Sequence, residues 1–344
     1  MHSIVASDLK MIENYINIGA FAGKTVVITG ASGIIGGYLA ATFALAQDRG
    51  VGPDMVTCVS RSGLYPLSLP SRSNFVQMTR DLSCPDKMEN LPKADIIIHG
   101  AGYGQPSKFL SDEFNTLTLN TAATLRLCHK VNRGGTFFFL STAEVYSGND
   151  SQSHSEEMIG DTGPLHPRAA YIEGKRAGEA ITNAAARKFG LRGISARIAL
   201  VYGPGFKPGD GRVMNEFIEH GLRDRTIQLQ DAGLAIRTYC YVSDAICMLW
   251  IMLAQGTLPV YNVGGIARTT IADLALLVGE KTDAEVLFPH RGNALIGAPT
   301  EVSLNLGRIR DLCPDLQFVS LEEGVERTLQ WTSDSIVDGN DLIE

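Results

Sequence analysis

An α/β chain organised on a parallel sheet is predicted by three observations. Short β-branched or aromatic runs of buried-strand character recur at residues 24–29, 55–59, 75–78, 94–99, 136–140 and 191–201, with helical stretches among them. The first run leads directly into a glycine turn, Gly30-Ala31-Ser32-Gly33-Ile34-Ile35-Gly36-Gly37, and an alanine-rich helix through Ala46. A later helical stretch, 169–188, carries Tyr171 and Lys175 four residues apart, on one face.

Composition narrows the class. At 344 residues the chain is one large unit or two intimately joined domains. A hydrophobic share of 44% with 19% charged residues is that of a globular enzyme. Net charge is −7 with a pI near 5.6, so no basic surplus points to nucleic acid, and an anionic substrate needs a local cluster of arginines. No apolar run is long enough for a membrane span, and residues 1–17, with Asp8 and Glu13, do not read as a signal peptide. The 6 cysteines form no Cys-x2-Cys pair; reduced thiols in a cytoplasmic protein are expected, with no metal site and no internal repeat.

In chain order, residues 1–22 read as a helical preface packed on the body. In the glycine turn, Gly30 allows a tight bend, Gly33 a close approach of backbone to a diphosphate, and Gly36 close helix packing. Ser32, Ile34 and Ile35 then lie at the helix N-terminus, whose N–H groups and dipole suit phosphate oxygens. The strand at 55–59 ends in Ser60-Arg61-Ser62, without the acid that normally accepts from the adenosine ribose. Arg61 can bind a 2′-phosphate, stack on adenine or point into water, which leaves NAD and NADP both open.

Asp81 and Leu82, after the third strand, are candidates for the adenine pocket. The loop Gly100-Ala101-Gly102-Tyr103-Gly104-Gln105-Pro106 suits backbone passing a nicotinamide, with Ala101 toward the cofactor and Tyr103 toward the substrate. His99 reads as a packed strand-end residue. A long helix is expected from about 112 to 131, with Asn120 as a satisfied core amide. The fifth strand, 136–140, ends at Ser141-Thr142-Ala143-Glu144-Val145-Tyr146, where catalytic groups of open parallel sheets gather. Thr142 can hydrogen-bond a substrate hydroxyl, and Glu144 is an acid/base or water-positioning candidate with a solvated loop carboxylate as the alternative. The Lys175 ammonium is expected to lower the pKa of Tyr171, so that the phenol can take a proton from a sugar or alcohol hydroxyl.

Taken together these motifs resemble the extended short-chain dehydrogenase/reductases, specifically the nucleotide-sugar epimerases, dehydratases and decarboxylases. The likeness rests on Gly30-x2-Gly33-x2-Gly36, Asp81-Leu82, Ser141-Thr142-x-Glu144-Val145-Tyr146 and Tyr171-x3-Lys175. Arg197-Ile198-Ala199-Leu200-Val201-Tyr202-Gly203-Pro204-Gly205 and Arg237-Thr238-Tyr239-x-Tyr241-Val242-Ser243-Asp244 extend it over residues 23–332. It implies a doubly wound parallel (Rossmann) sheet with a smaller interleaved C-terminal substrate domain, and Thr142, Tyr171 and Lys175 as the catalytic set. Tyr171-x-Glu173-Gly174-Lys175-Arg176 and Gly209-Asp210-Gly211-Arg212-Val213 look most like UDP-glucuronate decarboxylases. Three departures stand out. Ala143 replaces the aspartate of 4,6-dehydratases, which disfavours dehydration. Pro299-Thr300-Glu301-Val302-Ser303 holds no counterpart of the decarboxylase arginine, and neither Arg291 nor Arg308 obviously substitutes. Leu200 stands where many members have asparagine.

In the second half, Pro208-Gly209 marks passage into the substrate domain. Arg212 and Arg237 are expected as diphosphate clamps, because guanidinium forks match phosphate oxygens, or else as surface ion-pair partners. A short strand at 228–230, a helix at 243–254 capped by Ser243 or Asp244 with Trp250 in the core, a strand at 260–263 returning to the large sheet, and helices at 270–278 and 321–331 complete the reading; the acidic end, 334–344, looks solvated. The expected domains are an extension at 1–22, a dinucleotide-binding part at 23–202 plus about 238–264, and a substrate-binding part at 203–237 and 265–344. The leading functional expectation is redox-neutral conversion of a nucleoside-diphosphate sugar, UDP-linked by preference, through transient C4 oxidation with NAD. The rivals are an NADP-dependent keto-sugar or aldehyde reductase and a non-catalytic cofactor-binding protein. The resemblance also implies a homodimer through the helices at 112–131 and 171–188.

Overall fold

The computed structural model describes residues 1–63, 67, 72–207, 209–289 and 301–337. Helix α1 is Ser3–Glu13, β1 is Thr25–Thr29, α2 is Ile34–Asp48, β2 is Met55–Ser60, β3 is Phe75–Thr79 and β4 is Ala94–His99. Three short helices follow: α3, Pro106–Ser111; α4, Glu113–Asn120; and α5, Ala122–Cys128. Then come β5, Val131–Thr142; α6, Ala169–Phe189; β6, Arg192–Ile198; β7, Leu200–Tyr202; α7, Val213–Arg223; and β8, Thr226–Gln228. The chain continues with β9, Ile236–Tyr241; α8, Val242–Gln255; β10, Val260–Val263; β11, Ala267–Thr270; and α9, Ile271–Thr282. Last are β12, Glu285–Leu287; β13, Glu301–Val302; α10, Gly307–Leu312; and α11, Leu321–Val337.

Seven strands form one parallel sheet in the order β10-β6-β5-β4-β1-β2-β3. The strand order reverses between β1 and β4, and such switch points open a crevice at the carboxyl ends of the strands. Apolar side chains on successive positions serve opposite faces. Val26, Ile28, Ile96, Ile98 and Phe138 pack toward α1, α2 and α8. Val27, Ile97, Phe137 and Phe139 pack toward the α4–α6 side with Leu119 and Leu127. Burial on both faces explains why these strands read as continuous apolar runs. A smaller sheet joins β11, β9, β13 and β7.

Of the preface expected at 1–22, Ser3–Glu13 forms α1, which is tied in by Asp8. That fully buried carboxylate accepts from Tyr38 Oη at 2.5 Å, Tyr241 Oη at 3.1 Å and Arg327 Nη2 at 2.7 Å. Trp250 is core, as expected, and donates its indole N–H to Asn17 O at 3.0 Å.

Several expectations are corrected. The helix at 112–131 is two helices, broken at Thr121 (φ −116, ψ −76), and β5 already begins at Val131. The hydroxyls of Thr116, Thr118, Thr121 and Thr124 each bond back to the carbonyl four residues earlier, a pattern that bends helices. The strand expected at 191–201 divides at Ala199: β6 stays in the large sheet, whereas β7 pairs with β9 in the small one. The short strand is Thr226–Gln228 rather than 228–230. Neither Ser243 nor Asp244 caps α8; Tyr241 holds the cap position without a side-chain bond, and Asp244 accepts instead from Val319 N at 3.0 Å. Thr270 caps α9, accepting from Asp273 N at 2.9 Å. Arg291, Pro208, Pro299, Thr300 and residues 338–344 lie outside the described residues.

Candidate active site

The crevice at the β1/β4 switch point begins with the glycine turn. Gly30 has φ +72, and a Cβ there would stand 2.4 Å from Gly100 O, so the turn and the β4 loop touch through bare backbone. A Cβ on Gly36 would stand 2.4 Å from Gly30 O, which is how α2 packs down on its own turn. Gly33 occupies the N-cap with no side chain to bond the first N–H groups, and no acid lies in the first turn of α2. A Cβ on Gly33 would meet only Gly30 O, at 3.3 Å, so this side of the turn is open. Open backbone at a positive helix end fits a dinucleotide diphosphate. Ser32 and Ile34 are buried here and Ile35 half-buried.

Around this turn, Ser60 Oγ accepts from Gly63 N at 3.0 Å, and Ala101 N donates to Thr29 Oγ1 at 3.2 Å. Arg61 is drawn to Tyr103: Nη1 donates to the phenol at 2.8 Å, the guanidinium lies 5.4 Å from the ring centre, and the phenol donates to Asp112 at 3.0 Å. Asp81 accepts from Ser83 N and Oγ at 3.0 and 2.7 Å; burial pushes its carboxyl up, but these bonds outweigh it and hold the pKa below the usual value. Leu82 is core.

The three chemistry-bearing side chains converge at the carboxyl end of β5. Thr142 closes the strand before a single 3₁₀ turn, Ala143–Tyr146, accepts from Glu144 N at 3.3 Å, and keeps its hydroxyl within reach of the Tyr171 phenol. Tyr171, in the first turn of α6, is buried and stacks on Phe109 with ring centres 4.4 Å apart and 5° between planes. Lys175, one turn on, donates to Leu140 O at 2.8 Å and lies 5.9 Å from the Tyr171 ring centre.

The pKa direction expected for the phenol is reversed. Burial, followed by the nearby Glu144 charge, pushes Tyr171 up to about 12; Thr142, Arg168 and Arg212 pull against this without prevailing. Lys175 does not figure among the groups that lower it. Burial brings the lysine itself down to about 8, opposed by Glu179 one turn further along. Desolvation disfavours the charged form of each, and therefore moves a phenol up and an ammonium down.

Glu144 is not a solvated loop carboxylate. Arg168 grips it with two bonds, one from Nε at 2.9 Å and one from Nη2, and rests its guanidinium 4.9 Å from the Phe109 ring centre. Arg168 escaped the sequence reading; its place three residues before Tyr171 was the available signal. Arg212 is forked onto Asp210 at 2.9 and 2.5 Å, within electrostatic reach of Tyr171. Arg237 donates to Ile236 O at 2.7 Å and lies within reach of Arg168 and Glu144. Three guanidiniums thus face two carboxylates at the mouth of the site.

Asn120 corrects a further expectation. Its Nδ2 donates to Thr116 O at 2.8 Å, but the fully buried Oδ1 has no partner among the described residues. A Cβ on Gly102 would lie 3.7 Å from Lys175 Nζ and 3.9 Å from that oxygen, so the three groups border one space. Beneath them, Ser141 Oγ donates to Glu179 at 2.6 Å and Arg197 grips the same carboxylate at 2.8 and 3.0 Å, a buried pair the sequence reading also missed. Arg308 is engaged elsewhere, with Glu156, Glu157 and Val260 O. His99 is packed as expected, with Nδ1 2.7 Å from Thr29 Oγ1 and Nε2 3.0 Å from Leu119 O. Among the described residues no disulfide joins the cysteines, no group of three His, Cys, Asp or Glu is arranged to hold a metal, and no helix is long and apolar enough to cross a membrane.

Comparison with known proteins places this geometry. UDP-glucuronic acid decarboxylase 1 of Xenopus tropicalis is 27% identical over 312 residues, covering 90% of this chain and 72% of that protein. UDP-glucuronic acid decarboxylase 6 of Arabidopsis thaliana is 29% identical over 267 residues, 76% of each chain. The fold matches that of an epimerase from Methanothermobacter thermautotrophicus with a TM-score of 0.80 at 21% identity, covering 96% of this chain and 97% of that one. A UDP-glucuronic acid 4-epimerase from Bacillus cereus, solved with UDP-glucuronic acid and NAD, gives a TM-score of 0.75 at 21% identity over 90% and 99% of the two chains. A family profile described as the NAD dependent epimerase/dehydratase family matches residues 26–264, and the chain is therefore an NAD-dependent enzyme of the epimerase/dehydratase family.

Proposed function

We propose that the chain converts a nucleoside-diphosphate sugar, UDP-linked by preference, through transient oxidation at sugar C4, and that the net outcome is epimerisation or decarboxylation. The observation that carries this reading is the Tyr171 phenol within reach of the Thr142 hydroxyl, with Lys175 one turn away, at strand ends bordering the glycine turn. NAD supplies the hydride acceptor and later the donor. Tyr171 acts as the phenolate, the form that burial disfavours, taking the C4-hydroxyl proton and afterwards returning it, while Thr142 orients that hydroxyl. Negative charge on the phenol oxygen is met by the Thr142 hydroxyl and the Arg168 and Arg212 guanidiniums. Lys175, held on Leu140 O, fixes the floor of the site. A 4-keto group acidifies the neighbouring C5–H bond or labilises a C5 carboxylate; Glu144, held by Arg168, lies close enough to Tyr171 to act on that side of the sugar. Ala143 leaves no carboxylic acid at the position where 4,6-dehydratases carry aspartate. Arg212 and Arg237 serve the diphosphate, and 203–237 with 265–344 form the substrate-binding part. A cytoplasmic location belongs to the same proposal and is supported by six unbridged cysteines.

Two measurements test it. Tyr171→Phe should keep the fold and NAD binding yet lower turnover by roughly 10²–10⁴, the range for loss of a general acid–base group; activity within a few-fold of the unaltered enzyme overturns the assignment. Incubation with UDP-, GDP-, CDP- and dTDP-sugars, read by product mass, separates an isomer from loss of carbon dioxide or of water. Stoichiometric consumption of added NADPH would instead establish a net reductase.

A further inference from the structure

A cation stands where the charge pattern is least favourable for one. Lys207, on the segment between β7 and α7, places Nζ 3.1 Å from Ser32 Oγ, inside the glycine turn at the positive end of the 15-residue helix α2. Among the described residues no carboxylate pairs with it. The acid that acts on it, Asp210, is already forked onto Arg212. The neighbouring charges that act on Lys207 most are two further cations, Lys108 and Arg61. Helix ends repel like charge, and charges taken out of water are ordinarily paired. A half-buried ammonium that, among the described residues, is bonded only to a hydroxyl, amid two cations and a helix N-terminus, therefore lacks an anion of matching charge there.

We infer that Lys207 is a clamp on the cofactor diphosphate: it closes over the glycine turn from the substrate side and makes departure of the dinucleotide depend on that segment. The inference rests on the NAD-dependent reading of the chain. The same segment leads through Asp210 into Arg212 and the first turn of α7, so the cofactor and the substrate-facing guanidinium share one support. A dinucleotide held from both sides suits an enzyme that reduces and reoxidises it within a single turnover.

The test uses Lys207→Met, which keeps the aliphatic stem and removes the charge, on full-length protein stripped of nucleotide. Calorimetric titration with NAD, ADP-ribose and adenosine separates the diphosphate from the base. NAD and ADP-ribose should each bind about tenfold more weakly, the scale of one charge-assisted hydrogen bond, while adenosine binds unchanged and Lys207→Arg retains most of the affinity. NAD affinity within twofold of the unaltered protein, or an equal loss for adenosine, overturns the clamp. Absence of dinucleotide binding by the unaltered chain itself would sink the NAD-dependent reading, and the clamp with it.

Discussion

His99 is enclosed by Thr29, the Leu119 carbonyl, Phe137 and Phe139, with the Lys175 charge nearby, and burial lowers its pKa to about 4. The folded protein therefore holds the neutral ring, whereas the unfolded chain takes up a proton near pH 6.5. Stability from this residue is fully present above the unfolded value and is lost as pH falls from 6.5 toward about 4. His99→Gln, which does not titrate, should show a stability change between about pH 7 and about pH 5 that is smaller by about 2 kcal/mol, measured by urea unfolding; identical slopes for the two proteins would contradict the assignment. Buried Asp244, raised to about 7, contributes the opposite slope in both proteins and cancels in the comparison. At this scale, Thr142, Tyr171 and Lys175 were legible because residue type and position at a strand end or on a helix face suffice to place them. The phenol's pKa direction was not, since desolvation depends on how much chain closes over the ring. The Glu144–Arg168 grip spans 24 residues, and Arg168's place three residues before Tyr171 hints at the site without naming its partner.

Helix α6 owes its position to a missing side chain. A Cβ on Gly178 would lie 2.3, 2.6 and 2.9 Å from three ring atoms of Phe139, a buried ring flanked by His99 at 5.8 Å and by Lys175 Nζ at 4.9 Å. Alanine gains about 1 kcal/mol of helix propensity over glycine, but overpacking a filled core costs about 1–3 kcal/mol. Because the ring has no free side to move toward, the second effect should win: Gly178→Ala should melt lower and lift Lys175 from Leu140 O, with turnover falling alongside. An unchanged or raised melting temperature would show that Phe139 can give way. Element type was readable where one physical signal dominates, as in the glycine turn before α2. It failed where alternatives compete: threonine hydroxyls broke 112–131 into α4 and α5, and the apolar run at 191–201 gives no sign that β7 leaves for another sheet.

For the whole molecule, the family resemblance implied the doubly wound sheet and the return of 260–263 to it was expected, whereas neither the strand order nor the small sheet's pairing could be read, the latter from strands as short as Glu301–Val302. We propose a homodimer through α4, α5 and α6, supported by the exposed side chains Phe114, Leu117 and Leu125 on the first two. Light scattering at micromolar concentration should give twice the chain mass, and Phe114→Glu should reduce it to one; a monomeric mass for the unaltered protein would exclude this association.

The carboxylate of Asp8 draws α1, α2, β9 and α11 onto one buried point, and its guanidinium partner is Arg327, 319 residues along the chain. On the ribosome the first helix therefore emerges long before the cation that neutralises its buried charge has been made. The ion pair between α1 and α11 can therefore form only after synthesis has passed α11, whereas the bond from Tyr38 on α2 is available as soon as that helix is made.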